Sequence, residues 1–239
     1  MNILLTNDDG IESEGLRLLA DALRKDGRTK GHRYVLLAPD GDRSGVSQSL
    51  RLFSRSVRVR RRGSDEWECD GNPADCVITA MAGAVPGFRP DAVLAGINKG
   101  ENLGTDIVYS GTAAAARQGA LLGAPGIALS LAGEPPFHWD QAIEWVLSRL
   151  AYLLGAWRPG CFLNVNIPDR PEGLLPDVHT WPGVKTYHDT LRMQPEGDTI
   201  RCAFTKGGSD ALDQAGCDWA AVQAGAVSIS AVSTQPAAI

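Results

Sequence analysis

The sequence predicts an α/β protein with a doubly wound, mostly parallel sheet and a C-terminal appendage of extended strands and a hairpin. Short apolar runs alternate along the chain with segments of helical periodicity. Several of these runs end directly in polar loops that contain glycine. Continuous apolar runs are typical of strands buried on both faces, and their alternation with helices is typical of parallel crossover units. With 239 residues, 44% of them hydrophobic, the chain can form one substantial core.

The first apolar run, residues 3–5, leads directly into Asn7, Asp8, Asp9 and Gly10. Residues 14–23 then have helical periodicity behind Ser13, a typical N-cap. The two acids are therefore expected at the carboxyl end of a central strand, the edge where open α/β sheets bind ligands. Adjacent carboxylates repel each other unless a positive charge lies beside them, so the pair predicts a metal ion. Both can face one ion only if the chain turns, which Gly10 permits.

The remaining elements follow the same alternation. Residues 51–62 mix apolar residues with arginines and predict an exposed hairpin or edge strand. Ser110-Gly111-Thr112 predicts a helix start whose free N–H groups favour an anion. Residues 1–170 are expected to form the core, and residues 171–239 an appendage that completes the same domain. The other expected strands are residues 34–38, 92–95, 126–131, 162–167, 200–204 and 227–232, and the other expected helices are residues 74–85 and 143–154.

Composition limits the classes of function. The net charge of −5 argues against a dedicated nucleic-acid surface, although small anionic substrates remain compatible with it. No apolar run approaches the length of a membrane helix, and acids stand where an export signal would be apolar. The five cysteines lack CxxC spacing, which indicates reduced thiols. We therefore expect a cytoplasmic protein that binds neither nucleic acid nor membrane.

Three loops are expected to meet at the carboxyl edge of the sheet: residues 7–10, 40–47 and 98–112. Their side chains offer carboxylate, hydroxyl and amide oxygens, with no histidine or cysteine among them. Oxygen ligands of this kind suit Mg²⁺ or Mn²⁺ better than zinc or copper. Arg43 and Lys99 lie in the same loops and would balance the charge of a phosphate.

Several segments of the chain together resemble the SurE family of 5′/3′-nucleotidases. The resemblance covers residues 1 to about 168 in order, and a weaker similarity returns at residues 218–230. It implies a Rossmann-like sheet and a divalent-metal phosphomonoesterase that acts on nucleoside monophosphates, with short polyphosphate as a further substrate of the family. The segments are residues 3–10, Ala38-Pro39-Asp40 with Arg43-Ser44-Gly45, Asn72 to Val77, Gly96 to Gly100 with Asn102-Leu103-Gly104, and Tyr109 to Thr112.

The resemblance also assigns residues. It implies one divalent ion per subunit, held by Asp8, Asp9, Ser44 and Asn98. Either Asp8 or Asp9 then orients or deprotonates the attacking water, and we favour Asp8. Because the family exchanges its tail between subunits, a homodimer or homotetramer built through the C-terminal region is expected. The residues expected to contact the substrate phosphate are Asn7, Arg43, Lys99, Ser110, Gly111 and Thr112.

Three other interpretations are weaker. A phosphatase with an aspartyl-phosphate intermediate typically has a second aspartate two residues on, where this chain has Gly10. A non-catalytic nucleotide-binding or regulatory module is disfavoured because the first turn lacks G-x-G-x-x-G and places negative charge where a phosphate would approach. An assembly protein would depend mainly on its tail. Two departures from the family stand out: Glu14 adds a charge in the turn after the acids, and residues 186–212 do not align.

Overall fold

The computed structural model describes residues 1–170, 173, 175–205, 207–212 and 214–236. Strands and helices alternate through the first two thirds of the chain, and short strands dominate the last third. The strands are β1 (Asn2–Thr6), β2 (Arg33–Pro39), β3 (Val59–Gly63), β4 (Glu66–Cys69), β5 (Ala92–Lys99), β6 (Gly126–Ala132), β7 (Cys161–Pro168), β8 (Asp177–Thr180), β9 (Lys185–Tyr187), β10 (Thr190–Glu196), β11 (Thr199–Thr205), β12 (Ser209–Ala211) and β13 (Val227–Ser233). The helices are α1 (Glu14–Lys25), α2 (Pro73–Met81), α3 (Asp106–Tyr109), α4 (Gly111–Leu121), α5 (Trp139–Ala156) and α6 (Asp218–Gln223).

Nine strands form one sheet in the order β3-β4-β2-β1-β5-β6-β7-β13-β8. All neighbouring pairs are parallel except β3 with β4 and β13 with β7. The chain moves outward from β1 in both directions, which confirms the predicted doubly wound sheet. Because β1 and β5 are neighbours at the centre, the loops that follow them open at the same edge.

Helices cover both faces of the sheet and create two apolar cores. Helices α1 and α5 pack on one face, and α2 and α4 pack on the other. Strand β1 shows why its sequence is continuously apolar: Ile3 and Leu5 enter the first core, whereas Leu4 enters the second. A strand with only one buried face would instead alternate apolar and polar residues.

The edge beyond β2 differs from the prediction. The hairpin or edge strand expected over residues 51–62 begins only at Val59: β3 is the edge strand, and it forms an antiparallel pair with β4, which lies beyond the expected range. The reason is Asp75, whose carboxylate accepts hydrogen bonds from the backbone N–H groups of Arg51 (2.9 Å) and Leu52 (3.1 Å). These donors are therefore unavailable to a neighbouring strand, and residues 51–53 form a 3₁₀ turn. The helix expected over residues 74–85 also ends earlier, at Met81.

Part of the C-terminal third joins the main sheet, and the rest forms two separate small sheets. Strand β13 inserts between β7 and β8, so the end of the chain contributes to the main core. Strands β10 and β11 form a separate exposed hairpin, and β12 pairs with β9 in a second small sheet. The division at residue 170 stays a prediction. Within the described ranges, no helix combines the length and the apolar character that crossing a membrane requires.

Candidate active site

A cleft of about 220 Å³ opens at the carboxyl edge of the sheet, between the loops that follow β1, β2 and β5. It contains residues from all three of the loops that the sequence singled out. The convergence follows from topology, since these three strands are neighbours and point the same way. The predicted residues that line the cleft are Asp8, Asp9, Ser44, Asn98, Lys99 and Ser110.

The carboxylate of Asp8 is held at the N-terminus of α4. Its Oδ2 accepts a hydrogen bond from the Gly111 N–H (3.0 Å), and its Oδ1 accepts one from the Thr112 hydroxyl (2.5 Å). A Cβ on Gly111 would lie 2.7 Å from the Asp8 Cβ, so this approach requires glycine. Asp8 is only 4% exposed, and burial raises its pKa although the bonds from Thr112 and Gly111 oppose that rise. The buried charge has polar support but no cation in direct contact among the described ion pairs.

Asp9 carries the clearest electrostatic signal in the cleft. Its Oδ2 is buried and has no hydrogen-bond partner in the described part of the chain. Burial, followed by the charge of Asp8, raises the pKa of Asp9 from 3.8 to about 6, against the lowering effect of the Lys99 backbone and charge. The chain turns directly after the two aspartates, at Gly10, whose φ is +98°. A buried carboxylate oxygen without a partner is costly, and a cation would offset that cost.

Ser44 is fixed by an acidic neighbour two residues before it. The Asp42 Oδ1 accepts hydrogen bonds from both the backbone N–H (2.8 Å) and the hydroxyl (2.6 Å) of Ser44. Because the hydroxyl proton points to Asp42, the lone pairs of the Ser44 oxygen remain available to a cation. The loop itself is tied to the acidic turn by the Arg43 N–H, which donates to the Asp8 carbonyl (2.7 Å).

Asn98 lies where β5 ends and its pairing with β6 shifts register. Its amide nitrogen donates to the Gly100 carbonyl (3.0 Å), and no group in the described part of the chain donates to its amide oxygen. The next asparagine of the loop, Asn102, is buried and is held on its backbone by Asn164 and Asn166. The loop that carries Asn98 is thus anchored to β7 beneath the cleft.

These donors fit a hard divalent cation. Two carboxylates, one hydroxyl oxygen and one amide oxygen form an all-oxygen set, which suits Mg²⁺ or Mn²⁺. The unpartnered oxygen of Asp9 is the observation that favours a cation at this point. The described ranges contain no cluster of three or more histidine, cysteine, aspartate or glutamate side chains of metal-binding type. A set with only two carboxylates is compatible with that finding.

Four of the residues expected to contact phosphate make hydrogen bonds to protein groups in the structure, and their contact with phosphate stays a prediction. Asn7 donates to the Gly10 carbonyl (2.9 Å) and to the Ser13 hydroxyl (2.5 Å), so it shapes the acidic turn. Arg43 binds Asp40 and the Asp42 carbonyl within its own loop. Gly111 and Thr112 donate hydrogen bonds to the Asp8 carboxylate. This carboxylate therefore lies at the N-terminus of α4, where the sequence analysis expected a phosphate. Glu14 is exposed and does not line the cleft.

The cleft also contains residues that sequence analysis did not single out. Asp42 does not line the cleft but fixes Ser44, and it could have been found, since an aspartate two residues before a serine often bonds to it locally. Tyr109 belongs to one of the segments that resemble the family but was given no role, whereas Asp106 and Tyr187 gave no signal, and Tyr187 comes from β9 in the tail that could not be aligned. Lys99 and Ser110 are the two predicted phosphate contacts that face the cleft.

Comparison with known proteins gives a consistent result. The family described as Survival protein SurE matches residues 3–188. A protein named 5′-nucleotidase SurE from Rubrobacter xylanophilus is 38% identical over 246 residues, which covers 97% of this chain and 91% of the relative. One from Acinetobacter baumannii is 44% identical over 178 residues, covering 72% and 67%. The crystal structure of the SurE protein from Aquifex aeolicus superposes with a TM-score of 0.82 at 32% identity, covering 99% of this chain and 95% of that one.

Proposed function

This chain belongs to the SurE family, and we propose that it is a nucleotidase that releases phosphate from nucleoside 5′- and 3′-monophosphates with one divalent cation. The observation that carries the proposal is the buried, unpartnered Asp9 oxygen beside Asp8, in a cleft that otherwise offers hydroxyl and amide oxygens. The name 5′-nucleotidase SurE, borne by relatives at 38% and 44% identity, supports the same reaction.

Asp8, Asp9, Ser44 and Asn98 would hold the cation. When bound, Mg²⁺ or Mn²⁺ supplies Lewis acidity that offsets negative charge on the phosphoryl oxygens and lowers the pKa of water. Three residues position the ligands without touching the cation. The Asn7 side chain fixes the acidic turn, and the hydrogen bonds from Gly111 and Thr112 orient the carboxylate of Asp8. Asp42 does the same for Ser44.

The proposed base is Asp9. Both oxygens of Asp8 already accept hydrogen bonds from the start of α4, whereas the Asp9 Oδ2 has no partner among the described residues, so this oxygen can bind the cation while the other Asp9 oxygen accepts a proton from the attacking water. The sequence favoured Asp8 for this role, because spacing alone cannot show which carboxylate is already satisfied. Proton transfer to a positioned carboxylate contributes about 10²- to 10⁴-fold to a hydrolytic rate.

Lys99 and Ser110 are proposed to hold the transferring phosphoryl group. The Ser110 oxygen accepts a hydrogen bond from the Ala113 N–H (3.0 Å), so its hydroxyl proton remains free to donate to a phosphate oxygen. The exposed ammonium of Lys99 supplies a positive charge at the cleft. Donors placed in advance stabilise the charge that develops on the phosphoryl and leaving oxygens.

We also propose that the protein is cytoplasmic and forms a homodimer or homotetramer through residues 171–239. All five cysteines are free thiols, as a reducing compartment favours. The hairpin of β10 and β11 supports assembly, because the paired residues Leu191 and Phe204 lie on one face and are 50% and 79% exposed. An apolar face of this kind is favourable at a subunit interface.

A phosphate-release screen of purified protein tests the function. The protein is stripped with a chelator, supplied with Mg²⁺ or Mn²⁺, and offered 5′- and 3′-nucleoside monophosphates, an aryl phosphate and short polyphosphate. We expect metal-dependent release that is fastest with the nucleoside monophosphates. The absence of release from every substrate with either metal would refute hydrolysis and favour the nucleotide-binding alternative.

A further inference from the structure

The C-terminal tail contributes one wall of the candidate active site. Tyr187, at the end of β9, lines the same cleft as Asp8 and Asp9, and Tyr109, at the end of α3, lines it too. Their side chains remain 41% and 56% exposed. Among the described residues that line the cleft, these two alone present an apolar surface, because the others are glycine or carry charged, hydroxyl or amide groups.

Tyr187 is held in place by the residue two positions earlier. Lys185 is 9% exposed, and its ammonium contacts Glu101 and Asp106 at 3.1 Å each. The same ammonium lies 5.5 Å from the Tyr187 ring centroid, within the range of a cation–π contact. The tail is therefore fastened to the loop that follows Asn98, and Tyr187 is positioned by buried charges.

Burial alone would lower the pKa of Lys185, but the charges of Asp106 and Glu101 raise it overall. The ammonium is therefore retained at neutral pH. The backbone N–H of Lys185 also donates to the Thr105 hydroxyl (3.0 Å). This bond is a second attachment between β9 and the loop that follows Asn98. Together these contacts give Tyr187 the fixed position that a binding surface needs.

We propose that Tyr187 and Tyr109 form the nucleobase-binding end of the cleft and hold the base by stacking, an inference that rests on the proposed nucleotidase function. A planar base needs an apolar surface, and the two tyrosines provide it at the cleft that holds the phosphate-binding groups. Stacking uses the π-face that all bases share, so the substrate class is nucleoside monophosphates with little discrimination among bases.

The kinetic test compares a nucleoside 5′-monophosphate with ribose 5-phosphate, which has the same sugar and phosphate but no base. Tyr187→Ala should lower kcat/KM for the nucleotide by about 5- to 100-fold, mainly through KM, and leave kcat/KM for ribose 5-phosphate unchanged. Tyr187→Phe retains the ring and should keep wild-type values, and Tyr109→Ala should act like Tyr187→Ala. Equal losses on both substrates, or no loss on either, would overturn the inference.

The matched control is Tyr152→Ala, which removes a tyrosine of similar exposure (44%) on α5, outside the cleft. It should change neither kinetic constant. Calorimetric titration of metal-stripped protein with the nucleotide and with ribose 5-phosphate measures the contribution of the base without turnover. A wild-type protein that binds the nucleotide through Tyr187 yet releases no phosphate would refute the proposed hydrolysis and support the base site. Phosphate release that Tyr187→Ala leaves unchanged would support the proposed hydrolysis and refute the base site.

Discussion

Replacing Thr112 with valine would test how the carboxylate of Asp8 is held. The side chains have nearly the same shape, so the change removes only the hydroxyl that donates to the Asp8 Oδ1 at 2.5 Å. Thr112 is fully buried and Asp8 is 4% exposed, so water has little access to replace the lost donor. Asp8 would keep the hydrogen bond from the Gly111 N–H.

Two magnitudes follow from this geometry. Hydrogen bonds to charged groups contribute about 1.5–3 kcal/mol, so the free energy of unfolding should fall by about that amount. Loss of a group that orients a metal ligand typically weakens metal binding by about 10- to 100-fold. The concentration of Mn²⁺ that gives half-maximal phosphate release should therefore rise by about one to two orders of magnitude. The rate at saturating metal should fall less.

The assay is phosphate release from a nucleoside monophosphate over a series of Mn²⁺ concentrations, with urea unfolding measured in parallel. The control is Thr79→Val on α2, where the hydroxyl donates to the Cys76 carbonyl of its own helix (3.0 Å) and to no other group among the described residues. This control should leave the metal requirement unchanged. If Thr112→Val retained the wild-type metal requirement, the hydroxyl would not be what positions Asp8.

Two further predictions concern the same cleft, and a third concerns the packing of α1 against β5. The pKa of Asp9 is about 6 in the folded protein, against an ordinary value of 3.8. Because the folded state favours the protonated carboxyl, metal-free protein should lose stability as pH rises from about 4 through about 6. Thermal unfolding of Asp9→Asn should not show that loss. Asp42→Ala frees the Ser44 hydroxyl and should raise the half-maximal metal concentration by about 10- to 100-fold, whereas Asp42→Asn should raise it less. Gly15→Ala would place a Cβ 2.2 Å from the Ile97 carbonyl oxygen and should destabilise the protein by about 1–3 kcal/mol in urea unfolding.

Each of these has a result that would contradict it. A pH dependence shared by Asp9→Asn would assign the stability loss to other carboxyl groups. Equal metal requirements for Asp42→Ala and the wild type would show that Ser44 needs no support from Asp42. An unchanged unfolding midpoint in Gly15→Ala would mean that the backbone at Ile97 yields without cost.

The fold and much of the cleft could be predicted because their signals are local. Apolar runs mark the central strands, and the topology of a parallel sheet brings their following loops to one edge. The three loops were therefore expected to meet, the family resemblance implied Asp8, Asp9, Ser44 and Asn98 within them, and the structure places all four on one cleft.

Other features depend on contacts between distant parts of the chain. The bond from Thr112 to Asp8 joins residues 104 positions apart, so the sequence could not show that Asp8 takes the N-terminus of α4. Tyr187 reaches the cleft only because Lys185 pairs with Glu101 and Asp106 across about 80 residues. The delayed start of β3 likewise reflects Asp75, which lies beyond the segment that it alters.

Replacing Asp8 with asparagine tests the central claim most directly. The amide keeps the size of the side chain but removes the charge that the cleft presents to a cation. Asp21→Asn is the control, since Asp21 is exposed on α1 and pairs only with Lys25 among the described ion pairs. We predict that Asp8→Asn stays folded and loses metal-stimulated phosphate release from nucleoside monophosphates, while Asp21→Asn matches the wild type. Near-full, metal-stimulated release by folded Asp8→Asn would contradict a metal-dependent nucleotidase site at this cleft.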